Sequence, residues 1–200
     1  MLKISVILLA AGLSRRMGRD KLMLELNGKT ILQHSVDLLL ELPVYERILV
    51  TTEPRLHNLK IPADVKVILN NQPERGQSES IRIGTNAAKG THLLFLPADQ
   101  PKLTPDDIEP LLDAAASEPG KIVYPIVNNQ PCSPTIFPAI FREELIGLSS
   151  DSGGSVIRNA NKNACVGIVA ENPLNFTDID TMEDFELCTD MGERNDNIYS

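Results

Sequence analysis

One segment decides the fold: residues 4–21 have the sequence ISVILLAAGLSRRMGRDK. Its first six residues, Ile4 to Leu9, form a largely apolar run that is typical of a buried strand. The following residues combine small side chains, two glycines and several cations in one short loop. Small residues allow the main chain to approach a ligand closely, and successive N–H groups in such a turn bind anions. The segment therefore predicts a strand followed by a loop that binds phosphate groups.

Two cations of this loop are candidates for catalysis. Arg16 offers a planar set of donors and Lys21 a mobile charge, which together would offset the negative charge of a triphosphate. The loop lacks the Gly-Lys-Ser/Thr ending of a Walker A motif and the three spaced glycines of a dinucleotide fingerprint. An ordinary turn between a strand and a helix is the alternative interpretation. The residues expected to bind nucleotide here are Leu9, Ala10, Ala11 and Gly12.

Length and composition favour a single globular domain over residues 1–189, followed by a polar tail over 190–200. The net charge of −8 argues against a nucleic-acid surface, which requires a basic patch. No apolar run is long enough to span a membrane, and no secretory signal is visible. Three widely separated cysteines form no metal-binding pair and fit a reducing compartment, so we expect a cytoplasmic protein.

Strand and helix patterns alternate along the chain. This alternation predicts an α/β fold: a three-layer α/β/α sandwich with a mostly parallel, Rossmann-like sheet, whose ligands bind at the carboxyl ends of the strands. The segment containing Pro131, Pro134 and Pro138 is expected to be irregular and to form a lip over the site. Strands are predicted at Ile4–Leu9, Ile48–Thr51, Val65–Leu69, Leu93–Leu96, Ile122–Pro125 and Ala164–Ile168, and helices at Thr30–Leu42, Ser78–Ala88, Thr104–Ser117, Pro138–Leu145, Gly154–Asn159 and Thr181–Cys188.

Two acidic segments are candidates for holding a metal ion. Asp99 follows the short apolar strand Leu93–Leu96, where a carboxylate can hold Mg²⁺ against triphosphate oxygens or can simply shape a turn. Asp178 and Asp180 are two residues apart and would point the same way in an extended segment, so one of them could complete the metal site. In the alternative, Asp180 or Thr181 caps the last helix and Asp178 is solvated.

The loop resembles the opening motif of nucleotidyltransferases that activate sugars, isoprenoid precursors and the molybdenum cofactor. It is most similar to the molybdenum cofactor cytidylyltransferase branch of the MobA-like nucleotidyltransferases, which opens with Leu-Ala-Ala-Gly-x-Ser-x-Arg-Met-Gly and a later lysine. Ala11 stands where the related guanylyltransferases carry a second glycine. The resemblance continues to about Asp184, through an element similar to Asp-Ile-Asp-Thr-Pro-Glu-Asp in which Met182 replaces the proline.

The resemblance implies roles for further residues. It makes Asp99 the metal-binding aspartate of the family, and it places residues 76–84 over the nucleotide base, with Gly76 permitting close approach and Ser80 contacting the base. The alternative for this segment is that Ser78 caps a helix. Near Cys132 the family's glycine and its polar neighbour are missing, which leaves the acceptor open.

The resemblance also implies a reaction. It is a Mg²⁺-dependent transfer of CMP from CTP to the phosphate of molybdopterin, with release of pyrophosphate and delivery of the product to a molybdenum hydroxylase or its chaperone. Two alternatives remain open at this point. One is transfer to another phosphorylated acceptor, or from GTP. The other is a non-catalytic carrier of the finished cofactor, which would release no pyrophosphate.

Overall fold

The computed structural model describes residues 2–14, 17–149 and 152–196. Its strands are β1 (Ile4–Ala10), β2 (Glu25–Leu26), β3 (Lys29–Thr30), β4 (Glu46–Thr51), β5 (Val65–Leu69), β6 (His92–Pro97), β7 (Ile122–Val127), β8 (Gln130–Pro131), β9 (Thr135–Pro138) and β10 (Cys165–Val169). Its α-helices are α1 (Ile31–Glu41), α2 (Gln77–Ala87), α3 (Pro105–Ser117), α4 (Arg142–Ile146), α5 (Ser155–Ala160) and α6 (Met182–Asp196).

The main sheet has the strand order β10-β7-β9-β6-β1-β4-β5, with β8 paired to β7. Strand β1 pairs in parallel with both β4 and β6, and β4 pairs in parallel with β5. Strand β9 is antiparallel to both of its neighbours, β6 and β7. The sheet is therefore mostly parallel, as predicted, and the carboxyl ends of β1 and β6 lie side by side.

Helices cover both faces of this sheet, which confirms the three-layer architecture. On one face, α1, α3 and α6 contribute apolar side chains that pack with Val6 and Leu8 of β1. On the other face, α2, α4 and α5 pack with Ile7 of β1 and Ile48 of β4. Since β1 is covered on both sides, its residues form a continuous apolar run instead of an alternating pattern. No helix in the described ranges is both long enough and apolar enough to cross a bilayer.

Local hydrogen bonds explain where several helices begin. The Thr30 hydroxyl accepts a bond from the Gln33 amide at the start of α1, as its position predicts. Thr104 and Asp107 form a capping box at the start of α3. Helix α2, in contrast, is capped by Gly76, whose φ of 84° favours glycine, so the cap is not Ser78 as the alternative interpretation of this segment had it.

The structure corrects three further expectations. The segment rich in proline is not a lip: it contains β9, a strand inside the main sheet, and the short strand β8. The predicted helix Pro138–Leu145 instead begins as the end of β9, continues as a 3-10 turn over Ala139–Phe141 and becomes α4 only at Arg142. Helix α6 runs to Asp196 instead of ending near Cys188, so the expected tail from Asp190 is helical that far, and residues 197–200 lie outside the described ranges.

The turn before β6 requires a glycine. A Cβ atom on Gly90 would lie 2.5 Å from the Lys3 carbonyl oxygen and 2.7 Å from the Ser5 amide nitrogen, both of which are backbone atoms. We expect Gly90→Ala to lower the free energy of unfolding by about 2 kcal/mol, because the backbone next to β1 must move. Gly120→Ala is the matched control, since a Cβ there meets nothing within 4 Å. Chemical denaturation of both variants measures the difference, and equal stabilities would contradict this account of the turn.

Candidate functional site

A single ammonium group lies between two carboxylates at the carboxyl ends of β1 and β6. The Lys21 Nζ atom donates to Asp99 Oδ2 at 2.7 Å and to Asp180 Oδ1 at 2.9 Å. The Lys21 side chain is only 13% exposed, compared with 24% for Asp99 and 41% for Asp180. Three residues that the sequence singled out therefore meet at one point, although they are up to 159 positions apart.

Backbone pairing explains why these residues meet. Leu9 is paired with Pro97 in the register of β1 and β6, so the loop that carries Lys21 and the turn that carries Asp99 leave the sheet together. The Ile179 amide then donates to the Asp99 carbonyl at 2.9 Å, which fixes the acidic segment against this turn. The residue next to Ile179 is Asp180, whose carboxylate reaches Lys21.

Thr181 caps α6, and it is one of the two caps, Asp180 or Thr181, that the alternative interpretation of this segment allowed. The Thr181 hydroxyl accepts from the Asp184 amide at 3.2 Å, and the Asp184 carboxylate accepts from the Thr181 amide at 2.8 Å. These reciprocal bonds satisfy the first turn of the helix. They leave the Asp180 carboxylate directed at Lys21, so Asp180 belongs to the site and Thr181 caps the helix.

The carboxylates of Asp99 and Asp180 stabilise the charged form of Lys21. Burial opposes the charge on Lys21, but the neighbouring carboxylates of Asp99 and Asp180 outweigh burial and raise the pKa of the lysine above its usual value. Lys21 is therefore fully charged at neutral pH. Removing its ammonium would take away the donor that the Asp99 and Asp180 carboxylates share.

A second cation, on Arg55, holds the loop from the protein side. Its guanidinium donates to Asp20 through two bonds, from Nε to Oδ2 at 2.7 Å and from a terminal nitrogen to Oδ1 at 2.8 Å. It also donates to the carbonyl oxygens of Ala10 and Gly12. Arg55 is 4% exposed. One buried side chain therefore binds the beginning and the end of the loop at the same time.

A cavity of about 490 Å³, which we call the main cavity, opens beside these groups. Of the four loop residues expected to bind nucleotide, Leu9, Ala11 and Gly12 line this cavity, whereas Ala10 is fully buried and does not. Arg16 lies outside the described residues. The remaining lining residues are Leu13, Ser14, Lys21, Leu22, Pro73, Gly76, Gln77, Ser80, Pro97, Ala98, Asp99 and Asp180.

Gly76 and Ser80 reach the main cavity from α2, on the wall formed by the segment that was expected to cover a base. The Ser80 hydroxyl accepts a bond from the Asn70 side-chain amide at 3.1 Å, and Asn70 is itself buried. Because the hydroxyl accepts this bond, its own proton remains able to donate to a ligand in the cavity. The structure thus places Ser80 where a polar contact to a ligand is available.

Asp178 lies near this point but does not line the main cavity. Its Oδ1 atom accepts from the Gln100 side chain at 2.9 Å. The protein around the carboxylate, together with the charge of Asp99, raises the pKa of Asp178 to about 6, against the opposing effect of the Gln100 bond. The buried Gln100 also donates to the Phe176 carbonyl, so it fastens the acidic segment to the turn after β6.

The donors present fit a hard divalent cation. Asp99 and Asp180 already direct oxygen atoms at one positive charge, and carboxylate oxygens are the ligands that Mg²⁺ prefers. In the part of the chain that the structure describes, no group of three or more His, Cys, Asp or Glu side chains comes together to hold a metal. The fit therefore rests on two carboxylates, which suits an ion that binds its remaining ligands from substrate and water.

Sequence reasoning missed Arg55 and Gln100, and it gave Asp20 no role. Arg55 lies in an irregular 3-10 segment, Glu53–Asn58, outside every motif. Gln100 directly follows Asp99, so its position in the sequence offered a signal that was not used. Both residues act on the backbone of neighbouring segments, and a pattern of residue types does not show such contacts.

The sheet is mostly parallel, and a loop of small residues, a lysine and two carboxylates meet at the carboxyl ends of its adjacent strands. This combination defines a nucleotidyltransferase type of enzyme. The family model described as the MobA-like NTP transferase domain matches residues 6–164. The chain belongs to this family.

Individual relatives agree with this assignment. The molybdenum cofactor guanylyltransferase of Shewanella putrefaciens is 27% identical over 188 residues, covering 92% of this chain and 94% of that protein. The probable molybdenum cofactor guanylyltransferase of Rhodopirellula baltica is 33% identical over 123 residues, and this match spans only 58% of each chain. Among solved structures, Rv0371c from Mycobacterium tuberculosis H37Rv superposes with a TM-score of 0.82 at 21% identity, covering 94% of this chain and 98% of that one, which shows a shared fold.

The Arg55 contacts generate a prediction. Arg55→Met keeps the aliphatic stem but removes the guanidinium that donates to Asp20 and to the carbonyl oxygens of Ala10 and Gly12, so we expect the free energy of unfolding to fall by about 3 kcal/mol. Lys29→Met is the matched control, because it breaks an exposed ion pair with Asp37 and should leave stability nearly unchanged. Thermal and chemical denaturation measure both variants. Two equal losses would mean that Arg55 does not hold the loop.

Proposed function

We propose that this chain transfers CMP from CTP to the phosphate of molybdopterin and releases pyrophosphate. The observation that carries the proposal is the meeting of Lys21, Asp99 and Asp180 beside the loop Leu9–Gly12. A cation and two carboxylates next to a main-chain loop of small residues suit a metal-loaded triphosphate better than any other common ligand. The names of the relatives supply the acceptor.

In this reaction an oxygen of the acceptor phosphate forms a bond to the α-phosphorus of the nucleotide. The bond between the α-phosphorus and the oxygen that bridges to the β-phosphate breaks, and pyrophosphate leaves with that electron pair. A phosphate monoester is already anionic at neutral pH, so no general base is required. Lys21, together with Arg16, would stabilise the charge that develops on the triphosphate oxygens. Catalysis then consists of positioning and charge stabilisation.

Asp99 and Asp180 would hold Mg²⁺ in the working enzyme, with Asp178 as a further candidate ligand. When bound, the ion supplies Lewis-acid polarisation of phosphate oxygens. Asp178 must lose its proton to take part, and its pKa of about 6 allows this at neutral pH. The rest of the acidic segment keeps Asp180 in place through the backbone bond from Ile179 to Asp99.

The choice of nucleotide rests on the loop. Ala11 follows the pattern of the cytidine-using branch, which supports CTP. The two relatives described above are named guanylyltransferases, which makes GTP the second candidate donor. In either case we assign the base to the wall of the main cavity formed by Gly76 and Ser80, where the Ser80 hydroxyl would donate to a base acceptor. The product would then pass to a molybdenum hydroxylase or its chaperone.

The metal role of Asp99 can be tested by one substitution. Asp99→Asn keeps the shape of the side chain but removes a negative ligand, so we expect pyrophosphate release to fall about 100- to 1,000-fold. Chelation of divalent ions should stop release by the unaltered protein, and added Mg²⁺ should restore it. Asp113→Asn, at an exposed position on α3, is the control and should keep full activity. Full activity of Asp99→Asn would remove Asp99 from the mechanism.

The donor and the reaction itself can be tested by competition. All four ribonucleoside triphosphates, supplied together with Mg²⁺ and molybdopterin, should yield mainly the cytosine dinucleotide form of the cofactor. A guanine product would replace CTP by GTP and leave the reaction class intact. Tight binding of the finished dinucleotide without any release of pyrophosphate would instead identify a carrier protein.

A further inference from the structure

A second cavity, of about 80 Å³, adjoins the main cavity at the carboxyl ends of β1 and β6. The two cavities share Leu9, Gln77 and Pro97 as walls. Leu9 and Pro97 are paired across the sheet, and Asp99 follows Pro97 by two residues. A group bound in the second cavity would therefore lie next to whatever Lys21 and Asp99 hold.

The walls of the second cavity are of two kinds. Its apolar side chains include Ile81, Phe95 and Phe137, all of which are buried. Its polar side chains come from α2, from β9 and the segment just before it, and from α5: Gln77, Ser133, Thr135, Ser155 and Arg158. Apolar walls with a few convergent polar groups are typical of a small-molecule site.

Arg158 is a cation without a counter-ion in this cavity. Its guanidinium carbon Cζ lies over the Tyr124 ring, 4.9 Å from the ring centroid, in a cation–π contact. Its Nε atom is buried and has no hydrogen-bond partner, and among the described residues no carboxylate forms an ion pair with Arg158. A buried donor without a partner is costly. The Nε–H group of Arg158 is therefore available to an anionic ligand in this cavity.

We propose that the second cavity is the acceptor subsite and that Arg158 binds an anionic oxygen group of the acceptor. The assignment to the acceptor rests on the proposed function, whereas anion binding by Arg158 does not. Arginine suits this task because its planar donors match two oxygen atoms of a phosphate or carboxylate. The Ser133 and Thr135 hydroxyls are further donors on the same walls.

Position favours the acceptor over the nucleotide. Gly12 and Lys21, which we assign to the triphosphate, line only the main cavity. The second cavity has a volume of about 80 Å³, so it would hold only the anionic group of the acceptor, and the rest of a molecule as large as molybdopterin would lie outside it. The acceptor would thus enter from the side of α5 and β9 and meet the nucleotide near Asp99.

Kinetics provide the first test. Arg158→Gln should raise the KM for molybdopterin about 10- to 100-fold, while the Kd for Mg²⁺–CTP stays within twofold. Arg158→Lys should restore part of this loss, because a charge remains without the planar fork. Lys162→Gln removes the same charge from an exposed position four residues further on and should change neither constant. A rise in the Kd for the nucleotide with an unchanged KM for the acceptor would overturn the proposal.

The second test needs no turnover and uses inorganic phosphate as the probe. The Nε–H resonance of Arg158, assigned by triple-resonance NMR on the full chain, should shift saturably as phosphate is added, and chloride at equal ionic strength should not shift it. An unchanged resonance, or equal shifts with both anions, would overturn anion binding. The titration decides the matter even if the Arg158 variants fail to fold. A shift with phosphate combined with a total lack of pyrophosphate release would retain the anion site and reject the transfer reaction.

Discussion

Two hydrogen bonds from the Lys21 ammonium group join the three parts of the chain that form the candidate site. Lys21 comes from the loop after β1, Asp99 from the turn after β6 and Asp180 from the segment before α6. Each carboxylate alone would be a surface charge with little effect on stability. Placed on opposite sides of a mostly buried lysine, they hold the last segment of the domain over the sheet and concentrate charge where a phosphate ligand is expected.

The loop between β1 and Lys21 depends on a different cation, that of Arg55, which contacts the loop from the side facing the protein interior. Carbonyl oxygens in a short loop repel phosphate, so a loop that binds phosphate must direct them elsewhere. Arg55 takes up the carbonyls of Ala10 and Gly12 on the protein side and fixes Asp20 at the other end of the loop. The two cations therefore have different roles. Arg55 shapes the loop and does not line the main cavity, whereas Lys21 lines it.

Hydrophobic pattern was sufficient to predict the parallel core of the fold, because β1 and β6 are covered on both faces and their apolar runs are unmistakable. It failed at β9, a four-residue strand that follows Pro134, ends at Pro138 and enters the sheet between β6 and β7. That strand is specified by its partners and not by its own sequence. The site was predictable where residue type carries the chemistry, as at Lys21 and Asp99. It was not predictable where a side chain acts on distant backbone, as at Arg55.

The shared bonds of Lys21 give a physical reason for a lysine and two carboxylates to occur together. Asp99 and Asp180 both accept from its ammonium, and they raise the pKa of Lys21 so that it keeps its charge over the neutral range. In the reaction that we propose, a triphosphate would arrive with a divalent cation. The cation would meet the carboxylates while the phosphate oxygens meet Lys21, so that opposite charges would be paired in one step. Leu9 and Pro97, which line both cavities, would then lie between this nucleotide and the group held by Arg158.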